Sequence, residues 1–376
     1  MGILLINGFP HQTPLLLNVC NNMQQHSIEV DLFNYISGLF YANTPKNKSF
    51  FYTFYKNICS VNIIRKFFTH FFLKRILCFV ARNYDIIDFQ GLFNRQFIHI
   101  IPALKQQGKA IIITVWGSDF YRQAAGTWKE KAVCFEHCDL IHIATKQMKE
   151  DFLAVYPQYE NKIRIAHFGL SQLETLKNMM SRPHESNDLL SIIPNYKIII
   201  TCGYNGIKAQ QHELIIKAMT ELPIEMQSRL YLLFPMTYGA DDIYINRIET
   251  LLQTTNISYK IFSKRLSLEE LMTLRIKTNI VVNIQKTDAF AASLQEHIMA
   301  GNLLVVGEWL PYRILDEHDI YIRRTSISAL PINIQWAIEN YDTMQQKLNE
   351  NQEKMYQLSS WKYVSDKWAN IYQELS

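Results

Sequence analysis

Short apolar runs rich in β-branched residues alternate along the chain with stretches of helical periodicity. The first series of runs covers residues 3–6, 28–33, 86–89, 110–115, 140–144 and 163–166, and the second covers residues 197–202, 230–234, 258–262, 280–284 and 303–306. Continuous apolar strands that are separated by helices are typical of parallel sheets covered on both faces. The pattern therefore predicts an α/β protein with two doubly wound sheets.

A polar segment separates the two series. The residues SRPHESND, at positions 181–188, are rich in turn formers and predict a linker. We expect an N-terminal Rossmann-like domain over residues 1–180, a linker over 181–195, a C-terminal Rossmann-like domain over 196–355 and a final amphipathic helix over 356–376. The default ligand site is the cleft between the domains, because doubly wound sheets bind ligands at the carboxyl ends of their strands.

Composition limits the class of protein. The chain has 376 residues, of which 48% are hydrophobic and 19% charged, so it can build two ordinary cores. Its six cysteines are scattered through apolar stretches, which indicates reduced thiols in the cytoplasm. The start MGILLING predicts a buried strand rather than a signal peptide, and no apolar run reaches the roughly 20 residues that span a bilayer. The first turn, NGFPHQTP, lacks the G-x-G-x-x-G of a dinucleotide oxidoreductase.

The charge is unevenly distributed, although the net value is only +4. No acidic residue lies between Asp31 and Asp85, and phenylalanines and isoleucines in this interval are interspersed with cations, among them Lys56, Arg65, Lys66, Lys74 and Arg75. This composition favours helices that lie in a membrane interface and attract anionic lipids. The alternative is a pair of buried helices with solvated basic tips. We expect an anionic membrane surface, and not nucleic acid, as the partner of this stretch.

The stretch TDAFAASLQEHIMAG, residues 287–301, contains two separated acids, Asp288 and Glu296. If a helix held from Asp288 onward, eight residues would rise about 12 Å, which exceeds the roughly 5–9.5 Å of a glycosidase pair. A helix start between the two acids favours a phosphate. The arrangement predicts sugar hydroxyls at Asp288, a diphosphate over the helix start and a ribose at Glu296. The residues between the acids that we expect to line this donor site are Ala289, Phe290, Ala291, Ala292 and Ser293.

The alternative for this stretch is structural. Asp288 could simply cap a helix, as such residues often do. Glu296 lies roughly 200° around the helix from Leu294, away from the apolar stripe, and could then be solvated.

Two further strand ends supply candidate donor-binding residues. In ITCGYNGIKAQQH, Gly203, Asn205 and Gly206 predict a tight turn with exposed N–H groups, and Lys208 could neutralise a phosphate. In FSKRLSLEE, Lys264 and Arg265 face either the cleft or solvent.

The first domain offers one candidate acid. In TVWGSDFYR, Asp119 follows a predicted strand, where it could orient or deprotonate an acceptor hydroxyl, or could cap the next helix. We predict Asp119 and Asp288 as the catalytic candidates. No metal or other cofactor is expected, because no acidic cluster suited to Mg²⁺ stands out.

The motifs resemble those of bacterial glycosyltransferases with the GT-B fold. Asp288 and Glu296 match the E-x7-E pattern of family-four-like retaining enzymes, with Asp in place of the first Glu. The runs VWGSDFY and GYNG…QQH…LLFPMTYG…IYINRIE are similar to lipid-linked 4-acetamido-4,6-dideoxygalactose transferases. The chain departs from the family-four pattern, because Tyr204 stands where an Arg follows the glycine and Trp116 stands where many relatives have His.

The resemblance implies two Rossmann-like domains that face each other across a cleft. A nucleotide-sugar donor would bind mostly to the second domain and an acceptor to the first, and the final helix would return to the first domain. The expected function is transfer of a sugar, with retention, to a lipid-linked or polysaccharide acceptor at the inner face of the cell membrane. The alternatives are a nucleotide-sugar epimerase with the GT-B fold and a non-catalytic membrane-surface binding module.

Overall fold

The protein is described by a computed structural model that covers residues 2–8, 13–41, 50–121, 127–181, 193–194, 197–288 and 290–375. Residues 9–12 of the first turn, Ala289 of the expected donor site and most of the expected linker lie outside the described residues. The contacts divide the chain into two units, Met1–Gly169 with Trp361–Ser376, and Leu170–Ser360.

The first unit is built on a seven-stranded sheet. Its strands are β1 (Gly2–Asn7), β2 (Glu29–Asn34), β3 (Leu39–Tyr41), β4 (Ile86–Gln90), β5 (Ala110–Val115), β6 (Leu140–Ile143) and β7 (Ile163–Ile165). The spatial order is β3-β2-β1-β4-β5-β6-β7, and all pairs are parallel except β2 with β3. The sequence analysis missed β3, which has only three residues.

The second unit is built on a six-stranded, fully parallel sheet. Its strands are β8 (Ile198–Cys202), β9 (Leu230–Phe234), β10 (Ser258–Ile261), β11 (Ile280–Asn283), β12 (Leu303–Gly307) and β13 (Arg323–Thr325). The order β10-β9-β8-β11-β12-β13 reverses direction between β8 and β11. This is the topological switch point at which doubly wound sheets bind ligands. The polar strand β13 was also missed, because it carries no apolar run.

Helices connect the strands in both units. Those of the first unit are α1 (Thr13–Met23), α2 (Phe50–Ser60), α3 (Asn62–Phe71), α4 (Leu73–Val80), α5 (Phe97–Gln106), α6 (Ser118–Tyr121), α7 (Thr127–His137) and α8 (Lys146–Val155). Those of the second are α9 (Ser171–Met180), α10 (His212–Thr220), α11 (Ile224–Gln227), α12 (Asp242–Gln253), α13 (Leu268–Lys277), α14 (Ala292–Met299), α15 (Arg313–Glu317), α16 (Leu330–Asn340) and α17 (Gln345–Ser359). The last helix, α18 (Trp361–Gln373), belongs to the first unit. The α/β fold class with two parallel doubly wound sheets is confirmed.

The unit boundaries differ from the predicted domain boundaries. Residues 170–180 were assigned to the first domain, but α9 packs on α13 and α14 and therefore belongs to the second unit. Residues 356–360 were assigned to the final helix, but α17 continues to Ser359, and the N–H of Leu170 donates to the Ser359 carbonyl at 2.8 Å. Turn composition had placed the boundary at the polar segment, whereas packing places it earlier.

A buried polar chain ties α18 to the first sheet. The Asp88 carboxyl, in the middle of β4, accepts the Tyr372 hydroxyl at 3.0 Å, and its other oxygen lies 2.8 Å from the Thr114 hydroxyl. The Thr114 oxygen also lies 3.3 Å from His142 Nδ1, and His142 Nε2 lies 2.8 Å from the Ala166 carbonyl. Since a carbonyl only accepts, Nε2 carries the imidazole proton and Nδ1 needs a donor.

The single Thr114 proton cannot satisfy both Asp88 and His142. If Asp88 is protonated, the carboxyl donates to Thr114 and Thr114 donates to His142, so that every partner is satisfied. Burial raises the pKa of Asp88 to about 7, although its hydrogen bonds to Thr114 and Tyr372 act in the other direction. Burial also lowers the pKa of His142 to about 4, so the imidazole stays neutral. The buried chain therefore favours a protonated Asp88.

We predict that Asp88 makes the protein less stable as pH rises. A carboxyl with a native pKa near 7 and an ordinary value of 3.8 holds more protons in the folded state between these pH values. The free energy of unfolding should then fall through this window, on the order of 3 kcal/mol from this group. Asp88→Asn, whose amide donates as the protonated acid does, should match the wild type near pH 4 and exceed it at pH 8.

Urea denaturation at pH 4 to 8 measures this difference. Asp342→Asn, which changes an exposed carboxyl, is the matched control and should leave the pH profile unchanged. If the difference in the free energy of unfolding between Asp88→Asn and the wild type were the same at every pH, the prediction would be wrong.

Candidate functional site

Loops from adjacent strands converge at the switch point of the second sheet. The loop after β8 is joined to β11 and to the loop that follows it by two backbone hydrogen bonds, from Gly203 to the Val282 carbonyl of β11 and from Lys286 to the Ala209 carbonyl, each 2.9 Å long. The Gln211 side chain also donates to the Ile284 carbonyl. These bonds fix the position of the loop that leads from β11 through Asp288 to α14.

Asp288 lies in this loop and is only 8% exposed. Its Oδ2 accepts the Tyr312 hydroxyl at 2.5 Å and the N–H of Ala291 at 3.2 Å, and its Oδ1 lies 3.3 Å from the Tyr204 hydroxyl. The Tyr312 oxygen in turn accepts from the Asn283 amide at 2.9 Å. Residues that follow β8, β11 and β12 therefore hold one carboxyl group at the carboxyl edge of the sheet.

A glutamine pair directs the Tyr204 hydroxyl towards Asp288. Gln285 Oε1 accepts from Gln210 Nε2 at 2.9 Å, and Gln285 Nε2 donates to the Tyr204 oxygen at 3.0 Å. The Tyr204 hydroxyl can then donate its proton to Asp288 Oδ1 at 3.3 Å or to Gln285 Oε1 at 3.2 Å. Burial raises the pKa of Tyr204, and the nearby charge of Asp288 raises it further; the pKa of Tyr312 is raised for the same two reasons. Both phenols therefore stay protonated and act as donors.

Glu296 is in a buried ion pair. Its side chain is 5% exposed, that of Arg275 is 3% exposed, and Arg275 Nε lies 3.1 Å from Glu296 Oε2. The guanidinium also donates to the Ser293 hydroxyl at 2.7 Å and to His297 Nε2 at 2.9 Å. His297 Nδ1 lies 2.5 Å from Asn302 Oδ1, so the imidazole donates there and accepts from Arg275. Burial and the Arg275 charge lower the pKa of His297, which keeps it neutral.

The structural alternative for the acidic pair was that Asp288 caps a helix and Glu296 is solvated, and the structure differs from it in two respects. The helix α14 begins at Ala292, so Asp288 lies in the preceding loop, and the N-cap Ala291 has no side-chain cap. Residues 294–299 are all buried, so the face that carries Glu296 is not solvated. Helical periodicity had separated an apolar stripe from the acid, but Arg275 of α13 allows the acid to be buried as well.

The start of α14 leaves backbone donors available. Within the described residues, the N–H groups of Ala292 and Ser293 form no hydrogen bond, while the N–H of Ala291 donates to Asp288. Phe290 precedes them with φ +62, a left-handed conformation that is unfavourable for a bulky residue. The Gln295 amide donates to the Phe290 carbonyl at 3.0 Å and stabilises this turn. The turn presents the helix start beside the Asp288 carboxyl.

The predicted glycine turn lies against the segment that follows β9. A Cβ on Gly206 would lie 2.5 Å from Ala240 Cβ, so only glycine fits there, and Gly203 has φ +67. Asn205 Oδ1 accepts from the N–H of Ile207 at 2.9 Å, and its amide lies 3.4 Å from the Tyr238 hydroxyl. Burial raises the pKa of Tyr238, and the charges of Arg275, Glu296 and Asp288 all act on it. The Tyr238 hydroxyl therefore lies within electrostatic reach of both predicted acids.

The predicted phosphate-binding cations lie apart from this cluster in their described contacts. Lys208 Nζ lies 5.6 Å from the centre of the Tyr244 ring, in a groove of about 320 Å³ between α10 and α12 that also contains Arg247 and Lys286. Lys264 and Arg265 are exposed after the edge strand β10 and form no described ion pair. Their role in binding a diphosphate stays a prediction.

Asp119 joins two loops of the first unit. Its Oδ2 accepts from the N–H of Leu92 at 2.9 Å and its Oδ1 accepts from the N–H of Trp116 at 2.8 Å. Lys131 donates to the Asp119 carbonyl at 2.9 Å. Burial raises the pKa of Asp119, and these N–H groups partly offset that effect. Both carboxyl oxygens are thus engaged by backbone, and an acceptor-activating role stays a prediction.

The basic aromatic stretch is partly buried and partly exposed, and its contact with a membrane stays a prediction. Helix α4 buries Leu73, Ile76, Leu77 and Val80, whereas α3 has no buried residue. On α3, Ile63 is 82% exposed, Phe67 53% and Phe71 63%, and their spacing of four residues places them on one face. Lys56, Lys66, Lys74 and Arg75 are exposed and Arg65 is half-buried. Searching the described part of the chain finds no helix with the length and hydropathy of a membrane span.

No protein-family model and no curated protein matches the chain. Solved structures of similar fold do match it along its whole length. A glycosyltransferase from Rickettsia africae has a TM-score of 0.71 at 13% identity and covers 100% of this chain and 98% of its own. Anabaena HepE in complex with UDP has a TM-score of 0.68 at 12% identity, with 100% of both chains covered. Sucrose-phosphate synthase from Thermosynechococcus elongatus has a TM-score of 0.67 at 15% identity and covers 100% and 99%.

The chain has the GT-B fold. The predicted GT-B fold class is confirmed by these neighbours, which are glycosyltransferases of that class. At these identities the likeness concerns the fold, so the chemistry must be argued from the residues described above.

Several residues of this site were missed by the sequence analysis. Tyr204 was noted only as a departure from a family pattern, and Tyr312, Gln285 and Arg275 were not considered. The signal available for Tyr204 and Gln285 was position, since both closely follow predicted central strands. Arg275 resembled an ordinary cation in the last turn of a helix, which gives no indication of a buried partner.

We predict that the Arg275–Glu296 pair contributes strongly to stability. Removal of one partner leaves an uncompensated buried charge, so Glu296→Ala and Arg275→Ala should each lower the free energy of unfolding by about 3–5 kcal/mol. The double variant Arg275→Met/Glu296→Leu should lose less than the sum of the two. Urea denaturation measures all three.

An exposed ion pair of the same unit provides the control. Arg247 lies 2.9 Å from Glu213 with both side chains exposed, and Arg247→Ala should cost less than about 1 kcal/mol. Losses of that small size for the Glu296 and Arg275 variants would show that the pair is not buried.

Proposed function

We propose that the protein is a glycosyltransferase that uses a nucleotide-sugar donor. The observation that carries this proposal is the Asp288 carboxyl, which is fixed by Tyr204 and Tyr312 at the carboxyl edge of the sheet, directly before the uncapped start of α14. A carboxylate is a good acceptor for sugar hydroxyls, and a helix start is a good site for a diphosphate. Their adjacency supports a ligand that contains both groups.

In this proposal the second unit binds the donor. Asp288 accepts hydroxyls of the transferred sugar, and the N–H groups of Ala292 and Ser293 face the diphosphate. Fixed donors of this kind stabilise the negative charge that develops on the leaving diphosphate, which is usually the largest catalytic term. Lys208, Lys264 and Arg265 are the cations proposed to assist, and no metal is needed for the proposal.

The nucleoside end of the donor is proposed to lie near Glu296. Arg275 already holds this carboxylate in one orientation, so a ribose hydroxyl would approach a charge that is compensated and fixed. The Tyr238 hydroxyl and Asn205 supply further polar groups within reach of the same region. Transfer with retention is the proposed stereochemistry, on the resemblance of the acidic pair to the E-x7-E pattern.

The acceptor is proposed to be a lipid-linked or polysaccharide hydroxyl that reaches the enzyme at the inner face of the cell membrane. The exposed stripe of α3 supports this part, since exposed apolar surface beside cations is typical of membrane contact. The neighbour HepE binds UDP, which supports a nucleotide-sugar donor for this chain. The specific dideoxysugar named by the sequence resemblance stays a proposal.

Donor binding is tested first by thermal stabilisation with UDP, GDP and dTDP sugars. A true donor at 100 times its Kd should stabilise the protein by about 2.7 kcal/mol. With that donor and an acceptor extract, Asp288→Asn should lower kcat/KM roughly 100-fold or more, because a fixed charged acceptor is lost. Tyr312→Phe should lower kcat/KM less, since it removes only one of the hydrogen bonds that orient the Asp288 carboxyl.

Asp342→Asn is the matched control, because it changes an exposed carboxyl of the same unit, and it should retain full activity. The donor must also be incubated without acceptor. Conversion to an epimerised nucleotide sugar would favour the epimerase alternative. If no nucleotide stabilised the protein, the remaining alternative would be the non-catalytic membrane-surface binding module. An Asp288→Asn variant with normal activity would remove Asp288 from the proposed site.

Membrane contact makes a separate prediction. Each cation near an anionic surface contributes about 1 kcal/mol, so Lys66→Gln/Lys74→Gln should weaken vesicle binding by about 2 kcal/mol, or roughly 30-fold. Flotation with phosphatidylglycerol vesicles at low salt measures this. Lys217→Gln, an exposed cation of the second unit, is the control. Failure of the wild type to float would overturn the membrane proposal and leave the donor site untouched.

A further inference from the structure

The helices α2–α4 enclose an apolar groove. Its volume is about 490 Å³, which is within the roughly 300–1,000 Å³ of small-molecule sites. Much of its apolar lining comes from Ile58 of α2 and from Phe72, Ile76 and Phe79. The two charged lining residues are Arg75 and Arg82. Both arginines are exposed, so the charge lies towards solvent and the apolar walls lie inside.

The polar groups of the groove favour an anion. The guanidinium of Arg75 lies 6.0 Å from the centre of the Phe72 ring, and that of Arg82 lies 5.5 Å from the centre of the Phe79 ring. Within the described residues neither arginine forms an ion pair with a carboxylate. No acidic residue occurs from position 32 to 84, so the field around the groove is positive.

The other polar side chains of the wall offer little to a ligand. The Tyr55 hydroxyl already donates to the Tyr35 carbonyl at 2.8 Å, and the Cys78 thiol is only a weak hydrogen-bonding group. A peptide would need partners for its backbone groups, and among the described side chains of the walls only the two guanidiniums are strong donors. An occupant with an apolar body and one anionic end matches these surroundings better.

We propose that this groove binds the hydrocarbon chain of a phosphate-bearing lipid, with the phosphate held by Arg75 and Arg82. Arginine is well suited to phosphate because its planar fork can donate two hydrogen bonds. The chain would lie along Phe72, Ile76 and Phe79. This inference deepens the proposed membrane contact and rests on it, because it assigns one lipid molecule to a defined site beside the exposed face of α3.

The test uses palmitoyl lysophosphatidic acid below its micelle concentration, with binding measured by calorimetry and by native mass spectrometry. One lipid should bind per protein. Ile58→Trp, which fills the groove, and Arg75→Gln/Arg82→Gln, which removes the anion site, should each weaken binding at least tenfold. Phe67→Ser changes an exposed α3 side chain that does not line the groove, and should bind the lipid as the wild type does.

Two further measurements separate the possible failures. Inorganic phosphate and hexadecanol should each bind at least tenfold more weakly than the lysolipid, since each offers only one half of the ligand. Thermal melts and nucleotide binding should be unchanged in all variants, because they report the fold and the donor site. Equal affinity of the wild type and Ile58→Trp for the lysolipid, or several lipids bound per protein, would contradict the proposal that the groove binds one lipid. Vesicle flotation that survives in Ile58→Trp but fails in Phe67→Ser supports a membrane contact distinct from the groove.

Discussion

The second unit depends on the convergence of three strand ends on one buried carboxyl group. The parallel strands β8, β11 and β12 are neighbours in the sheet, so the residues that follow them meet at one edge. Tyr204, Asp288 and Tyr312 come from these three positions, and both phenols bond to the Asp288 carboxyl. A buried carboxylate is costly unless it is fully hydrogen-bonded, so the two phenols and a backbone N–H allow it to remain there. The same bonds fix the loop that presents the start of α14.

The Arg275–Glu296 pair plays the corresponding part further along the same helix. Residues 294–299 of α14 are all buried, which an isolated glutamate would not tolerate. Arg275 of α13 compensates its charge and also donates to Ser293 and His297, and His297 in turn bonds to Asn302. Because Arg275 bonds to three side chains of α14, it fixes α14 against α13. A fixed helix start next to a fixed carboxyl is the preorganised arrangement that the proposed electrostatic catalysis requires.

Sequence patterns predicted most of the strands well, and side-chain pairing poorly. Strands such as 110–115 and 230–234 were predicted with the bounds that the structure has, because a short continuous run of strand-forming residues leaves few alternatives. The three-residue strands β3 and β13 are held by pairing with a neighbour rather than by their own composition, so no local pattern announces them. For the site, motif spacing indicated Asp288 and Glu296. Their partners Tyr312 and Arg275 are 24 and 21 positions away, and only the fold brings them close.

The basic aromatic stretch shows why composition alone left two structures open. In α4 the apolar residues Leu73, Ile76, Leu77 and Val80 follow a spacing of three and four, and all of them pack on the core. In α3 the residues Ile63, Phe67 and Phe71 are just as apolar and just as regular, but nothing described in the chain covers them. Helical periodicity shows that a face is apolar, and cannot show whether protein or another phase covers it. Since α4 already packs on the core, α3 can stay exposed without loss of that packing, and its apolar face is the surface on which the proposed membrane contact depends.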